Sequence, residues 1–262
     1  MQLEVLAQEP RSNVRPTPVL FVHGMWHAAW CWEEHFLPYF AQRGYSSHAL
    51  SLRGHGTSQG RKGLRWTSLA DYVVDIRQVV EQLQRPPVLV GHSMGGMIVQ
   101  KYLEEYQAPA AVLLASPPPK GVLFATLRVA RRHPLVFLKT NLTLSMYPII
   151  GKQSLTREAF FSDDLSEEMV ETYFSRMQDE SYRAYLDMMA LNLPRPKEVK
   201  AHMLVLGASN DRIISTGEIK ATALAYNTQA EIFPDMAHDM MLETGWQAVA
   251  DRILDWLSEQ GL

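Results

Sequence analysis

Short, wholly apolar runs rich in β-branched residues alternate with amphipathic stretches along most of the chain, and this alternation restricts the fold more than any other feature. PVLFVHG (18–24), YSSHALSL (45–52), PVLVG (87–91), AAVLLAS (110–116), AHMLVLGA (201–208) and TQAEIFP (228–234) each read as a strand. Helical spacing fills the gaps. CWEEHFLPYFAQRG (31–44) stops at Gly44 and is interrupted by Pro38. TSLADYVVDIRQVVEQLQ (67–84) has Ser68 as its N-cap, and GGMIVQKYLEEY (95–106), STGEIKATALA (215–225) and TGWQAVADRILDWLSEQ (244–260) follow the same pattern. Strands this apolar are covered on both faces, which predicts a mostly parallel sheet between helical layers, with right-handed crossovers. Ligands of such sheets bind at the carboxyl ends of the strands.

The alternation lapses between Pro117 and Lys200, where proline-bounded helical segments replace strands. The chain therefore divides into a first core part (1–116), a helical cap (117–200) and a second core part (201–262). With 262 residues, one domain carrying an insertion is expected. The net charge of −3 and the lack of any long like-charge block argue against a nucleic-acid partner. Arg128, Arg131, Arg132 and His133 form the most basic group, which reads as a solvated helix face. Cys31 is the single cysteine, so no internal disulfide can form; it reads as a buried, inert thiol, and a reducing, cytoplasmic setting is expected. The N-terminal stretch lacks the pattern of a signal peptide, and no apolar run is long enough to span a bilayer.

One junction carries chemistry. In VLVGHSMGGMIVQ (88–100) an apolar run ends at a glycine, and a helix is expected to begin four residues later. Gly91-His92-Ser93-Met94-Gly95 fits G-x-S-x-G in the strand–turn–helix setting that gives this pattern meaning. Glycines let the two backbones pass closely, and the corner serine projects beside a helix N-terminus with unpaired N–H groups. Ser93 needs a base, and the base needs an orienting acid. His238, in FPDMAHDMML, follows the last strand; Asp211, in LGASNDR, follows the strand before it. All three fall at one sheet edge, in the nucleophile–acid–base order of this motif. Asp235 and Asp239 are weaker acids, lying too near His238 along the chain to reach its ring. The backbone N–H groups of Met94 and Met25 are the expected oxyanion donors, with Gly24 allowing close approach. His23 reads as structural, and HGMWH is too weak a pattern to suggest a metal site.

With these elements in view, the sequence resembles the α/β-hydrolase superfamily over essentially its full length. The similarity rests on HG (23–24), RGHGTS (53–58), GHSMGG (91–96), GASNDRIIS (207–215) and MAHDMMLE (236–243). GHSMGG is similar to the elbow of monoacylglycerol lipases and lysophospholipase-like carboxylesterases. HGMWHAAWCW is similar to the corresponding loop of plant methylesterases and hydroxynitrile lyases. The resemblance implies about eight strands, a cap inserted after the sixth, no cofactor, and ester hydrolysis. Asp239 stands where the related lyases carry lysine, which counts against lyase chemistry. A cofactor-free perhydrolase or haloperoxidase shares the same triad, and a receptor that binds a ligand in the pocket without turning it over is the alternative of a different class.

The expected partner is a small-molecule ester of short to medium acyl chain, or a monoacylglycerol, acted on by a monomer or homodimer. Trp26, Phe124, Leu127, Phe137, Leu138, Met146 and Tyr147 are the candidate pocket residues; Trp30 and Trp32 are expected in the core.

Overall fold

The computed structural model describes all 262 residues. Seven strands form one sheet: β1 (Glu4–Gln8), β2 (Val19–Val22), β3 (Ser47–Ser51), β4 (Val88–His92), β5 (Ala110–Leu114), β6 (His202–Ala208) and β7 (Ala230–Phe233). Their spatial order is β1-β3-β2-β4-β5-β6-β7, with β1 antiparallel to β3 and every other pair parallel. The central strands β2, β4 and β5 are buried along their whole length, as their unbroken apolar runs require.

Two details of the sheet differ from the sequence reading. The sheet has seven strands, not about eight. Only β1 precedes β2, because the intervening EPRSNVRPTP stretch carries three prolines and turn residues that cannot sustain a second ladder. The strand-free stretch, between Leu114 and His202, consequently follows the fifth strand instead of the sixth. Helices at Leu123–Arg132, Pro134–Thr143, Gln153–Phe160, Glu167–Arg176 and Tyr182–Leu186 occupy it.

Local signals set the helix boundaries. Ser68 caps the helix Leu69–Val80 in a capping box with Asp71, and Ser215 does the same for Thr216–Ala225 with Glu218. The expected helix at 31–44 is broken in two, Trp30–Glu33 and Phe36–Gln42, with Pro38 near the start of the second, where its missing N–H is harmless. Behind the sheet, Phe21 lies against Trp32, Phe36 and Phe40, and Cys31, Trp30 and Trp32 are buried. This packing fixes the carboxyl ends of β2 and β4, where the site lies.

Candidate active site

β4 turns into the helix Met94–Tyr102 at a single residue, Ser93, which adopts φ 50° and ψ −122°. A serine in that region costs about 1–3 kcal/mol, so the surroundings must hold it there. They do so through close contact: a Cβ on Gly95 would collide with the carbonyl oxygens of Val22 and His23, so only glycine lets the helix start against β2.

The Ser93 hydroxyl lies 2.9 Å from His238 Nε2. On the other side of the ring, His238 Nδ1 donates to Asp211 Oδ2 at 2.7 Å. The second oxygen of Asp211 accepts the backbone N–H groups of Ile213 (2.7 Å) and Ile214 (2.8 Å), so the carboxylate is pinned by its own loop. Side chains of Asp211 and His238 are buried. Burial lowers the pKa of His238, but the Asp211 carboxylate, aided by Asp239, more than offsets this and holds the imidazole above its ordinary value. Three residues from distant parts of the sequence thus form one chain of hydrogen bonds. Asp235 is exposed in a left-handed turn, and the Asp239 carboxylate points to His27.

The loop after β2 meets the serine directly. A Cβ on Gly24 would lie 2.9 Å from Ser93 Cβ and 2.9 Å from His92 Nδ1. The next residue is Met25, whose N–H donates to no other group of the chain; the N–H of Met94 is likewise free at the first position of its helix. His23 is tied into this loop: its Nδ1 donates to the Gly24 carbonyl (2.7 Å) and its Nε2 accepts the Leu52 N–H (3.1 Å). Burial, with His55 nearby, keeps its pKa well down.

Two histidines that the sequence did not single out complete the support. His92 donates from Nε2 to the His238 carbonyl at 3.0 Å. Burial, then the charge of His238, pushes its pKa down to about 3, so it acts as a neutral donor. His27 bonds the Met25 carbonyl through Nδ1 (2.7 Å) and Asp239 Oδ2 through Nε2 (2.9 Å). The HGMWH and GHS spellings contain both residues, but only their convergence in space gives them roles. His92, His238 and Asp239 also bring one ligand-capable atom each within 4.8 Å of one another. An ion there would have to displace Ser93 or Asp211 from the His238 ring, whereas His92 Nδ1 and Asp239 Oδ1 have no hydrogen-bond partner.

Beside Ser93 lies a cavity of about 100 Å³ in which 14 of 18 lining residues are hydrophobic. Met25, Trp26, Met94, Phe137 and Met146 line it, together with Val122, Ala125, Val129, Tyr185 and Met188. Phe124, Leu127, Leu138 and Tyr147 do not; they are exposed. The cause is helical phase. On Leu123–Arg132 the inward residues are Ala125, Thr126 and Val129, which places Phe124 and Leu127 outside. A roomier depression near Gln153, Arg157 and Arg212 is polar and does not include Ser93.

A serine at a strained strand–helix corner, above a mostly parallel sheet and joined to histidine and aspartate from later strand ends, defines the hydrolase class built on this α/β fold. The chain belongs to the Alpha/beta hydrolase family, whose pattern matches residues 19–252. It is 22% identical over 238 residues to the monoacylglycerol lipase of Mycolicibacterium smegmatis, a span of 85% of this chain and 81% of that protein. A thermophilic esterase from Thermogutta terrifontis shares the fold with TM-score 0.74 and 19% identity, covering 98% of this chain and 94% of its own. A bromoperoxidase from Bacillus anthracis does so with TM-score 0.74 and 19% identity, covering 98% and 96% respectively. No helix is long and apolar enough to cross a membrane.

Proposed function

We propose that this hydrolase cleaves carboxylic esters through an acyl-enzyme, with Ser93 as nucleophile, His238 as general base and acid, and Asp211 as the group that orients and charges the imidazole. The observation that carries the reading is the continuous path Ser93 Oγ–His238 Nε2 (2.9 Å) and His238 Nδ1–Asp211 Oδ2 (2.7 Å). As Ser93 attacks the carbonyl carbon, its proton passes to Nε2. The tetrahedral oxyanion lies between the N–H groups of Met25 and Met94, each such donor contributing about 2.7–4 kcal/mol to the rate. His238 then protonates the departing alcohol, and water repeats the sequence on the acyl-enzyme.

Residues 117–200 act as a cap over the strand ends, and the small apolar cavity beneath it takes the acyl chain. Its size and lining favour short to medium acyl esters, monoacylglycerols among them. A panel of p-nitrophenyl esters of increasing chain length tests this, with Ser93→Ala as control. Turnover lost in Ser93→Ala supports the reading, as does labelling of Ser93 by a fluorophosphonate. Ester turnover that survives Ser93→Ala ends it. Binding of esters without turnover would instead indicate a receptor. Peracid formation from acetate and peroxide in excess of ester cleavage would indicate a perhydrolase.

A further inference from the structure

Thirteen large hydrophobic residues of the chain are notably exposed, and seven of them lie between Leu123 and Tyr147. They are ordered by helical phase. Phe124 (67% exposed) and Leu127 form a stripe on Leu123–Arg132, while Leu135 (80%), Leu138 and Leu142 (76%) form another on Pro134–Thr143. The opposite faces of the same helices supply Ala125, Val129 and Phe137 to the cavity beside Ser93. The second helix is thus apolar on two sides, a pattern that belongs to helices covered on both.

Charge is equally one-sided. From Tyr106 to Arg157 there is no aspartate or glutamate, while Lys120, Arg128, Arg131, Arg132, Lys139, Lys152 and Arg157 are present, in a chain whose net charge is −3. Arg128 pairs with Glu218, and Arg132 and His133 share Glu158. Arg131, one turn beyond Leu127, and Lys139, between Leu135 and Leu142, are exposed and bridge to no carboxylate. Arg131 and Arg132 are solvated, as the sequence reading has it, and exposed leucines share the surface with them.

We propose that this face docks on an anionic lipid surface, with the leucine stripe entering the acyl boundary and Arg131 and Lys139 engaging headgroup phosphates or carboxylates. A second copy of the chain fits less well, because a two-fold contact through this face would set Arg131 and Lys139 against their like-charged counterparts with no acid to separate them. Docking stands apart from the ester chemistry proposed above, since it is read as bound protein and not as turnover.

The test is co-sedimentation of the full chain with large unilamellar vesicles of phosphatidylcholine alone or with 30% phosphatidylglycerol, together with sedimentation velocity of the free protein. Expected results are binding to the anionic vesicles, a much weaker association with the neutral ones, and release by high salt. Arg131→Glu with Lys139→Glu should weaken binding on the order of fivefold for each charge removed. Leu135→Ser with Leu142→Ser should lower it at least as much while leaving thermal unfolding unchanged, since both side chains are already in solvent. No binding to either vesicle, equal binding to both, or a dimer at micromolar concentration that Leu135→Ser with Leu142→Ser dissolves would each overturn the proposal.

Discussion

His27 and Asp239 form a fully buried pair, 2.9 Å apart, that joins the loop carrying Met25 to the residue next to His238. His27 Nδ1 lies 2.7 Å from the Met25 carbonyl and Nε2 lies 2.9 Å from Asp239 Oδ2, so one ring ties the two segments together. Burial works against the Asp239 charge, but His27 foremost, with His92 and His238, holds its pKa below the ordinary value. Removing one member leaves the other buried without its closest partner. Asp239→Ala should lose about 3–5 kcal/mol of stability in urea unfolding. Asp239→Asn, which keeps the shape, should lower kcat more than it raises KM, because on the proposed mechanism the loop carrying Met25 shifts while the pocket stays. The depressed carboxyl contributes stability that is complete above its unfolded value near 3.8 and is lost as pH falls through the lower folded value. Unfolding curves of the wild type and Asp239→Asn should therefore converge at strongly acid pH.

Activity should follow the protonation of His238. Its pKa is raised above 6.5, so kcat/KM should climb with pH through a midpoint above 6.5. Asp211→Asn should lower kcat by about 10⁴ and move that midpoint down, as the raising charge is gone. The linked stability has the opposite sense: the His238 contribution is present below pH 6.5 and disappears as pH rises through the folded value. A pH–rate profile beside a pH–stability profile checks both.

Ser93 sits at φ 50°, a conformation that glycine adopts without strain. Ser93→Gly should abolish ester turnover and at the same time raise stability by about 1 kcal/mol, measurable as a higher Tm. Equal or lower stability would mean that the serine side chain's own contacts outweigh the backbone strain.

Gly24→Ala places a methyl 2.9 Å from Ser93 Cβ, so either the loop after β2 or the serine must move. A fall in kcat of about 10²–10³ with little change in KM is expected, the signature of a lost transition-state donor. Ala125→Phe, whose new ring would fill the acyl cavity, should instead raise KM for longer acyl chains and spare acetyl esters.

Much of this was legible beforehand for a physical reason. The alternation of apolar runs and amphipathic stretches sets the layers, and the glycines around Ser93 are needed only where strand and helix touch. β1 escaped because its EVLAQ sequence is half-exposed and polar in part, unlike the buried strands. Apolar composition points Phe124, Leu127 and Leu138 to the pocket but does not say which side of a helix faces inward; phase relative to the sheet decides that. His27 and His92 gave no signal, since their partners lie 212 and 146 residues away along the chain.

Trp26, at φ 66°, lends its indole N–H to the Met146 carbonyl at 3.2 Å. A single strut therefore connects the peptide next to the Met25 amide with the turn that follows the leucine-striped helix. A displacement of that turn would therefore be felt first at the residue that follows Met25.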